Sequence, residues 1–237
     1  MGSIVAGSGG GRVRREPQQA RSRARVERLL EAGDAVLAAE GFEALTVRRI
    51  AANAGVPIGT LYQFFPDKQA IVDALAYRYL GEFEVAMEDL VGRAERERWD
   101  DPVEVLFATF VNLYQSRPGY LALWVGRHLS ADLRRADEAN NELIADGIRR
   151  VLIAQLGLSD GEELARACEV TVRVCDALLQ YAFRNGAPAD ADVLAEMIRL
   201  QRLYLADLVA RYEPVGRAAG GDLSPAARIL FGGVAPE

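Results

Sequence analysis

Residues 46–68 constrain the fold more than any other part of the chain, because they contain two short helical runs around a tight break. Thr46 suits the N-cap of the first run, since its hydroxyl can accept a hydrogen bond from a free amide in the first turn. Apolar residues then recur at helical spacing up to Gly55, which can take φ > 0 and end a helix. Pro57 stands where a helix start tolerates a missing N–H, and residues 58–64 are predicted to form a second helix. This is the helix-turn-helix pattern, whose second helix fits the major groove of DNA.

Several short motifs lie in register within this stretch. They are Thr-x-x-x-Ile-Ala at the first helix, Ala-Gly-Val at the turn, Gly-Thr-Leu-Tyr on the second helix, a pair of phenylalanines, and Asp-Lys opening the next helix. Together they resemble the DNA-binding motif of the TetR family of bacterial transcriptional repressors. The resemblance covers about residues 35–75, and beyond it only the length and the helical pattern agree with the family.

The resemblance implies a set of DNA-contacting residues on and beside the second helix. The set is Thr46, Arg48, Ile58, Gly59, Thr60, Tyr62, Gln63 and Lys68. We expect Thr60 to bond a phosphate or touch a thymine methyl, Tyr62 to hold a phosphate, and Gln63 to read a base edge. Arg48 is expected to face DNA from the first helix, and Lys68 to hold a phosphate from the start of the next one.

Each of these positions also has a purely structural interpretation. Tyr62 could be a half-buried packing residue, and only one of Arg48 and Arg49 is expected to face DNA, while Leu61 and Phe65 are expected in the core. The chain also departs from the family: Pro57 stands where Ser or Thr often caps the second helix. Phe64 stands where Tyr or His is frequent, so one polar phosphate contact is absent.

The net charge of −6 is unusual for a DNA-binding protein, but the charge is unevenly distributed. Residues 1–66 hold nine arginines against six acidic residues, a net +3, and residues 67–237 hold nineteen basic against twenty-eight acidic residues, a net −9. A basic end on an acidic body is expected when only one end meets phosphate.

The composition indicates the class of protein and its cellular compartment. Half of the residues are hydrophobic, which is typical of a globular protein. No apolar run approaches the roughly 18 residues of a membrane span, and the N-terminus lacks the pattern of a secretory signal. The two cysteines, Cys168 and Cys175, form no disulfide framework, so we expect a cytoplasmic protein.

The helical pattern continues to residue 212 without strand alternation, so the fold class is all-α. We predict a disordered basic arm over residues 1–20, a three-helix helix-turn-helix domain over 21–67, a larger helical effector-binding and dimerisation domain over 68–213, and a loose tail over 214–237. The arginines of residues 12–25 form either a solvated charge run or an arm along phosphates, and the neighbouring motif favours the arm.

A dimer is expected, because one such motif buries too little DNA for tight specific binding and two copies read a palindrome. The resemblance assigns the interface to the last two long helices, about residues 160–184 and 190–212. Their apolar faces include Leu164, Cys168, Val172, Cys175, Leu179, Leu194, Met197, Ile198, Leu205 and Leu208. Periodicity alone would suit an intramolecular core equally well.

Between the DNA-binding motif and the dimer interface, the resemblance implies a pocket for a small-molecule effector. The effector shifts the two DNA-binding domains of the dimer relative to each other, and the fourth helix transmits the change. The candidate lining residues are Phe107, Phe110, Tyr114, Trp124, His128, Asp176, Gln180 and Tyr181. For the aromatic residues the alternative is plain core packing, and for His128, the single histidine, a surface or internally satisfied position. The set favours an apolar or planar ligand.

Other function classes find little support in the residues. There is no metal-binding cysteine pattern, histidine pair, phosphate-binding glycine loop or nucleophile elbow, so neither an enzyme nor a bound metal or cofactor is expected. A redox-responsive regulator using Cys168 and Cys175 stays open through pairing between subunits. The sequence therefore favours a repressor that binds a palindromic operator as a homodimer and is released by a small molecule. A helical ligand-binding protein or an enzyme is the remaining alternative.

Overall fold

The computed structural model describes residues 16–124, 130–186 and 188–212. Within them the chain forms nine α-helices and no strand, which confirms the all-α prediction. The helices are α1 Glu16–Glu40, α2 Val47–Asn53, α3 Ile58–Tyr62, α4 Lys68–Arg96, α5 Pro102–Ser116, α6 Pro118–Trp124, α7 Ala131–Leu156, α8 Glu162–Ala182 and α9 Ala191–Tyr212. None of these helices combines the length and the apolar character that a membrane span requires.

The helix ends near the motif follow local chemistry. The Thr46 hydroxyl accepts a hydrogen bond from the Arg49 amide (3.2 Å) and caps α2, and the Asp67 carboxylate accepts from the Ala70 amide (2.8 Å) and caps α4. Gly55 has a φ of +64°, which a residue with a Cβ rarely adopts, and it turns the chain between α2 and α3. The predicted Thr46 cap, the predicted turn at Gly55 and the predicted start of a helix at Asp-Lys are confirmed.

Two predicted boundaries differ from the structure. Helix α1 begins at Glu16 and not at residue 21, so residues 16–20 are helical and do not belong to a disordered arm. Helix α3 ends at Tyr62 and not at residue 64, because the chain turns there to bury Phe65, which is 7% exposed, ahead of Pro66. The rest of the predicted arm and the predicted tail over 214–237 lie outside the described residues. The predicted domain limits stay a prediction.

Helices α1, α4 and α6 join the motif to the body through a polar network. The Tyr79 hydroxyl donates a hydrogen bond to Asp34 on α1, and the Arg78 guanidinium lies 3.2 Å from the same carboxylate. Gly119 on α6 packs so closely on this network that a Cβ there would overlap the Asp34 carboxylate and the Tyr79 hydroxyl. Burial and the hydrogen bond to Asp34 raise the pKa of Tyr79 far above its ordinary value, so the hydroxyl keeps its proton.

The apolar stripes expected at a dimer interface lie largely inside the chain's own core. Leu164, Cys168 and Leu179 on α8 and Met197, Leu205 and Leu208 on α9 are all at most 4% exposed. Their assignment to the interface is wrong, because a side chain covered by its own chain has no area left for a partner. The opposite faces of α8 and α9 carry exposed apolar residues: Val170, Val174, Tyr181, Leu200 and Leu203.

Candidate functional site

Helix α3 has one buried and one exposed side. Leu61 is fully buried, which anchors the helix and confirms its predicted place in the core. Tyr62 is 52% exposed, Ile58 is 42% exposed, and Gln63 and Gly59 also face outward. Thr60 is partly buried. The outward side of α3 therefore offers a phenol and an amide beside an apolar side chain.

The two arginines of α2 have different surroundings. Arg49 forms an ion pair with Glu40 at the end of α1, with 2.6 Å between Nη1 and Oε2. Arg48 is exposed and makes no hydrogen bond or ion pair with a described residue. Since Arg49 already has an anionic partner, Arg48 is the residue of this pair whose charge is available to a phosphate.

Lys68 and Thr46 already make internal contacts. The Lys68 ammonium donates to the Phe42 carbonyl oxygen (3.1 Å) and lies 4.0 Å from the centroid of the Phe42 ring. Thr46 accepts from the α2 backbone, as described above. An ammonium has three N–H donors, so Lys68 can join the α1–α2 turn to α4 and still reach an anion.

A further basic group lies on α1. Its members are exposed and form no ion pair with a described residue: Arg21, Arg23, Arg25 and Arg28. Arg12, Arg14 and Arg15 of the predicted arm lie outside the described residues. The exposed arginines of α1 and Arg48 give the motif end the positive charge that the sequence predicted for it.

The body contains a cavity of about 70 Å³ between α4, α5, α7, α8 and α9. Four of the eight residues predicted for an effector pocket line it: Phe107, Phe110, Tyr114 and Asp176. The Tyr114 hydroxyl donates to Asp176 (3.1 Å), and the Tyr120 hydroxyl donates to that of Tyr114 (3.3 Å). The cavity wall is thus aromatic, with a carboxylate at the end of a short chain of hydroxyl groups.

The other predicted pocket residues lie elsewhere. Trp124 is buried behind the wall, where its ring stacks on Tyr120 at 4.3 Å between centroids. Gln180 supports the wall indirectly by donating to Asp176 (2.8 Å). Tyr181 is 54% exposed, so its prediction is wrong: it lies on the outer face of α8, under the Arg184 guanidinium. His128 lies outside the described residues.

Most polar groups of the cavity come from residues that the sequence prediction missed. Asp137, Asn140 and Asn141 on α7 and Thr171 on α8 line it. The α7 segment that contains the first three of these residues is rich in charged residues and is typical of a solvent-exposed helix. Only the spacing of Asn140 with the apolar Ile144 and Ile148, which share its face, could have indicated that this side turns inward.

Asp137 is the most perturbed carboxyl of the cavity. Its Oδ1 accepts a hydrogen bond from Trp124 Nε1 (2.8 Å). Burial raises its pKa to about 6, with smaller contributions from Asp176 and Glu138, whereas the Trp124 hydrogen bond and Arg173 act in the other direction. The ionised form therefore carries a free-energy cost at neutral pH.

We expect Asp137→Asn to raise the thermal midpoint by about 3 °C at pH 7.5 and by much less at pH 4.5. The folded carboxyl keeps its proton up to a pH of about 6, whereas the unfolded one releases it near 4. Its contribution to the free energy of unfolding thus falls as the pH rises through that window. Asn keeps the acceptor for Trp124 without the charge. Calorimetry at both pH values checks this, with the exposed Glu142→Gln as control, and an equal shift at both values would contradict it.

Cys168 and Cys175 are buried and unpaired. Burial raises the pKa of both thiols to about 12, so the reactive thiolate is scarce at neutral pH. Both side chains are covered by their own chain, which also leaves no room for pairing between subunits. The redox alternative gains no support. Among the described residues, no group of three His, Cys, Asp or Glu side chains could hold a metal ion.

Two family models match the chain. Residues 29–75 match "Bacterial regulatory proteins, tetR family", and residues 97–209 match "Tetracyclin repressor-like, C-terminal domain". The first covers the end of α1, helices α2 and α3 and the start of α4, and the second covers α5 to α8 and most of α9. No curated protein matches the sequence of this chain.

Solved structures agree with these matches. A TetR-family transcriptional regulator from Streptomyces coelicolor is 28% identical with a TM-score of 0.59, covering 80% of this chain and 99% of its own. A transcriptional regulator from Cytophaga hutchinsonii (20% identity, TM-score 0.60, coverage 78% and 98%) shares the fold. So does a TetR transcription regulator from Haloarcula marismortui (15% identity, TM-score 0.61, coverage 77% and 96%).

The two matched regions together span both helix α3 and the helical body. The motif residues, the all-α fold and the solved relatives lead to the same assignment. Regulators of this kind bind DNA and are not enzymes. The chain belongs to the TetR family of bacterial transcriptional regulators.

Proposed function

We propose that the protein is a repressor that binds a palindromic operator as a homodimer and is released when a small molecule enters the cavity of the body. The observation that carries the proposal is the exposed side of α3, where Tyr62 and Gln63 point away from the buried Leu61. A repressor of this kind works where the DNA is, so the expected cytoplasmic location is part of the proposal.

In this proposal α3 enters the major groove. Gln63 reads a base edge, adenine by preference, while Tyr62 and Thr60 bond phosphates. The bare backbone at Gly59 lets the helix approach the duplex, and Ile58, at 42% exposure, offers an apolar contact for a thymine methyl. Thr46 and Lys68 flank this surface and hold its supporting helices in place as they contact the backbone.

Dimerisation through α8 and α9 is supported by their outer faces. Val170 and Val174 on α8 are four residues apart, and Leu200 and Leu203 on α9 are three apart, so each pair shares one helix face. All four are between 38% and 56% exposed. Two neighbouring helices with exposed apolar faces form a patch that a second copy of the chain would cover, which gives a four-helix interface with a two-fold axis.

A connected set of contacts supports communication between the cavity and the DNA-binding end. Asp137 lines the cavity and accepts from Trp124 on α6. The Trp124 ring lies 6.5 Å from that of Tyr79 on α4, in an edge-to-face arrangement. Tyr79 in turn donates to Asp34 on α1. A ligand that moves Asp137 therefore disturbs a path of direct contacts that ends in α1, the helix that packs on α2 of the motif.

Selection of operators from a randomised duplex library, at two salt concentrations, tests the proposal. We expect an enriched palindrome whose affinity falls steeply with salt, because Lys and Arg contacts release counterions from DNA. Reporter repression from that palindrome, relieved by a ligand that binds the purified protein, would complete the test. An enriched site without symmetry would contradict the dimeric model, and activation from the site would contradict repression.

We expect Arg48→Ala to weaken operator binding about tenfold and to lower the salt dependence, since each lost phosphate contact reduces the slope by about one. Arg49→Ala is the matched control, because its guanidinium is paired with Glu40. Titrations by fluorescence anisotropy across a salt series measure both quantities. Equal losses in the two variants would contradict the assignment of Arg48.

A further inference from the structure

The described residues of the cavity wall combine aromatic rings with negative charge. Aromatic rings form its apolar part, with Phe83 stacked on Phe110 at 6.1 Å between centroids. Among the described residues that line it there are two carboxylates, Asp137 on α7 and Asp176 on α8, and no Lys, Arg or His. The described part of the wall therefore offers negative charge and ring faces.

The two carboxylates differ in how many of their oxygens are already used. Both oxygens of Asp176 accept hydrogen bonds, Oδ1 from Tyr114 (3.1 Å) and Oδ2 from Gln180 (2.8 Å). Asp137 accepts only from Trp124, through Oδ1, and no described residue donates to its Oδ2. Asp137 therefore has an acceptor oxygen available to a ligand.

The charge of the pair is not cancelled nearby. Arg173 is the basic residue that acts on both carboxylates. Its guanidinium is bound to Glu138, and both of those side chains are more than half exposed, outside the cavity. Since Glu138 already pairs with Arg173, the charge of this guanidinium is not free to neutralise Asp137 and Asp176.

Thr171 gives an independent indication of a ligand. It is 4% exposed and lines the cavity, and its hydroxyl oxygen has no hydrogen-bond partner among the described residues. A buried hydroxyl without a partner is costly, and native proteins usually supply one. The free oxygen is an acceptor for an N–H group of a bound molecule.

We propose that the cavity binds a hydrophobic organic cation, an aryl-substituted amine, whose ammonium group contacts Asp137 Oδ2 and Thr171 Oγ1 while its rings pack on Phe83, Phe107 and Phe110. The proposal rests on the proposed function, since it names the chemical class of the effector. An ammonium group supplies donors to both unpaired oxygens and the missing positive charge. The aromatic wall attracts a cation through its ring faces and removes the rest of the ligand from water. An anion would face two carboxylates, with no Lys, Arg or His among the described residues that line the cavity.

Matched probes that differ only in charge test the proposal. We would titrate the full-length protein at pH 7.5 by calorimetry with three single-ring frameworks (phenyl, 3-methylphenyl and 4-methylphenyl), each carrying an aminomethyl, a hydroxymethyl or a carboxylate group. The amine of at least one framework is expected to bind tenfold or more tightly than its alcohol, and the carboxylates are expected not to bind. Equal affinity for amine and alcohol, tightest binding of a carboxylate, or no binding of any amine would overturn the proposal.

Variants then locate the contact. Asp137→Asn is expected to weaken amine binding at least tenfold and to leave alcohol binding within twofold, because it removes the charge and keeps the shape. Glu142→Gln removes one exposed negative charge from the same helix and is expected to change neither. Since Asp137→Asn is expected to stabilise the fold, lost binding would not reflect unfolding. Equal amine affinity in both variants would overturn the role of Asp137.

Operator release, measured in parallel, separates this proposal from the proposed function. An amine that binds the cavity without releasing the operator supports the ligand class and contradicts release by an effector. Release by an alcohol or a carboxylate, with the amines inactive, supports the effector function and overturns the ligand class.

Discussion

Replacing Leu200 and Leu203 together by glutamate is expected to lower operator affinity at least 100-fold. The two side chains are 48% and 56% exposed on the outer face of α9, and a two-fold axis through this face brings their copies close together. Four buried carboxylates without partners would prevent that contact. A monomer has one recognition helix and half of the phosphate contacts, so most of the specific affinity is lost. Light scattering would show a monomer, and binding titrations the loss of affinity.

The control for this pair makes the same change in charge at two other exposed apolar residues. Val85 on α4 and Leu143 on α7 are 67% and 54% exposed and lie outside the α8–α9 patch. Changing both to glutamate is expected to leave the dimer intact and operator affinity within about threefold, the part that added negative charge alone contributes through repulsion from DNA. A dimer that persists in the Leu200/Leu203 variant would disprove the proposed interface.

Gly147→Val is expected to lower the free energy of unfolding by about 3 kcal/mol, the upper part of the range for overpacked cores. Gly147 lies on α7 where that helix packs on α4, and a Cβ there would overlap Cγ and Sδ of Met87. Met87 is 5% exposed, so it cannot turn outward, and the two helices must separate. The thermal midpoint should fall by roughly 6–12 °C for a chain of this size.

A second variant shows whether Met87 is the cause. Met87→Ala alone leaves a cavity and should cost about 2–5 kcal/mol, but combined with Gly147→Val the new side chain fills part of that space. The double variant is expected to be more stable than the sum of the single changes by at least about 1 kcal/mol. Gly81→Val on α4, where a Cβ meets nothing within 4 Å, is the control for a β-branched residue replacing a helical glycine. Additive losses in the double variant would disprove the packing argument.

The parts of the fold that depend on short-range chemistry were predictable from sequence. Thr46 and Asp67 bond amides three residues further along, and Gly55 relieves a local backbone conformation, so a few neighbouring residues determine each helix end. Helical periodicity likewise accounts for the different environments of Leu61, which is buried, and Tyr62, which is exposed.

Features that depend on distant partners were not predictable. The heptad-like stripe of α8 that includes Leu164 and Cys168 shows that one face is covered, but periodicity does not tell whether the cover comes from the same chain or from another. Asp137 reads as a surface residue, and only the packing of α6 against α7 brings Trp124 to it. The same applies to Lys68, whose carbonyl partner on Phe42 lies 26 residues earlier in the chain.

Because α4 is long, a small rotation in the body produces a large displacement at the DNA-binding end. The 29 residues of α4 span about 43 Å at the usual rise per residue, and the helix begins six residues after the end of α3 and packs along α7 of the body. A rotation of about 5° at the body end displaces the other end by about 4 Å over that length. In a symmetric dimer the two ends move in opposite directions. The separation of the two α3 helices therefore changes by up to about 8 Å. This is nearly a quarter of the ~34 Å between successive major grooves on one side of DNA. In the proposed dimer, a small rotation in the body would thus be amplified geometrically into a misfit with the operator.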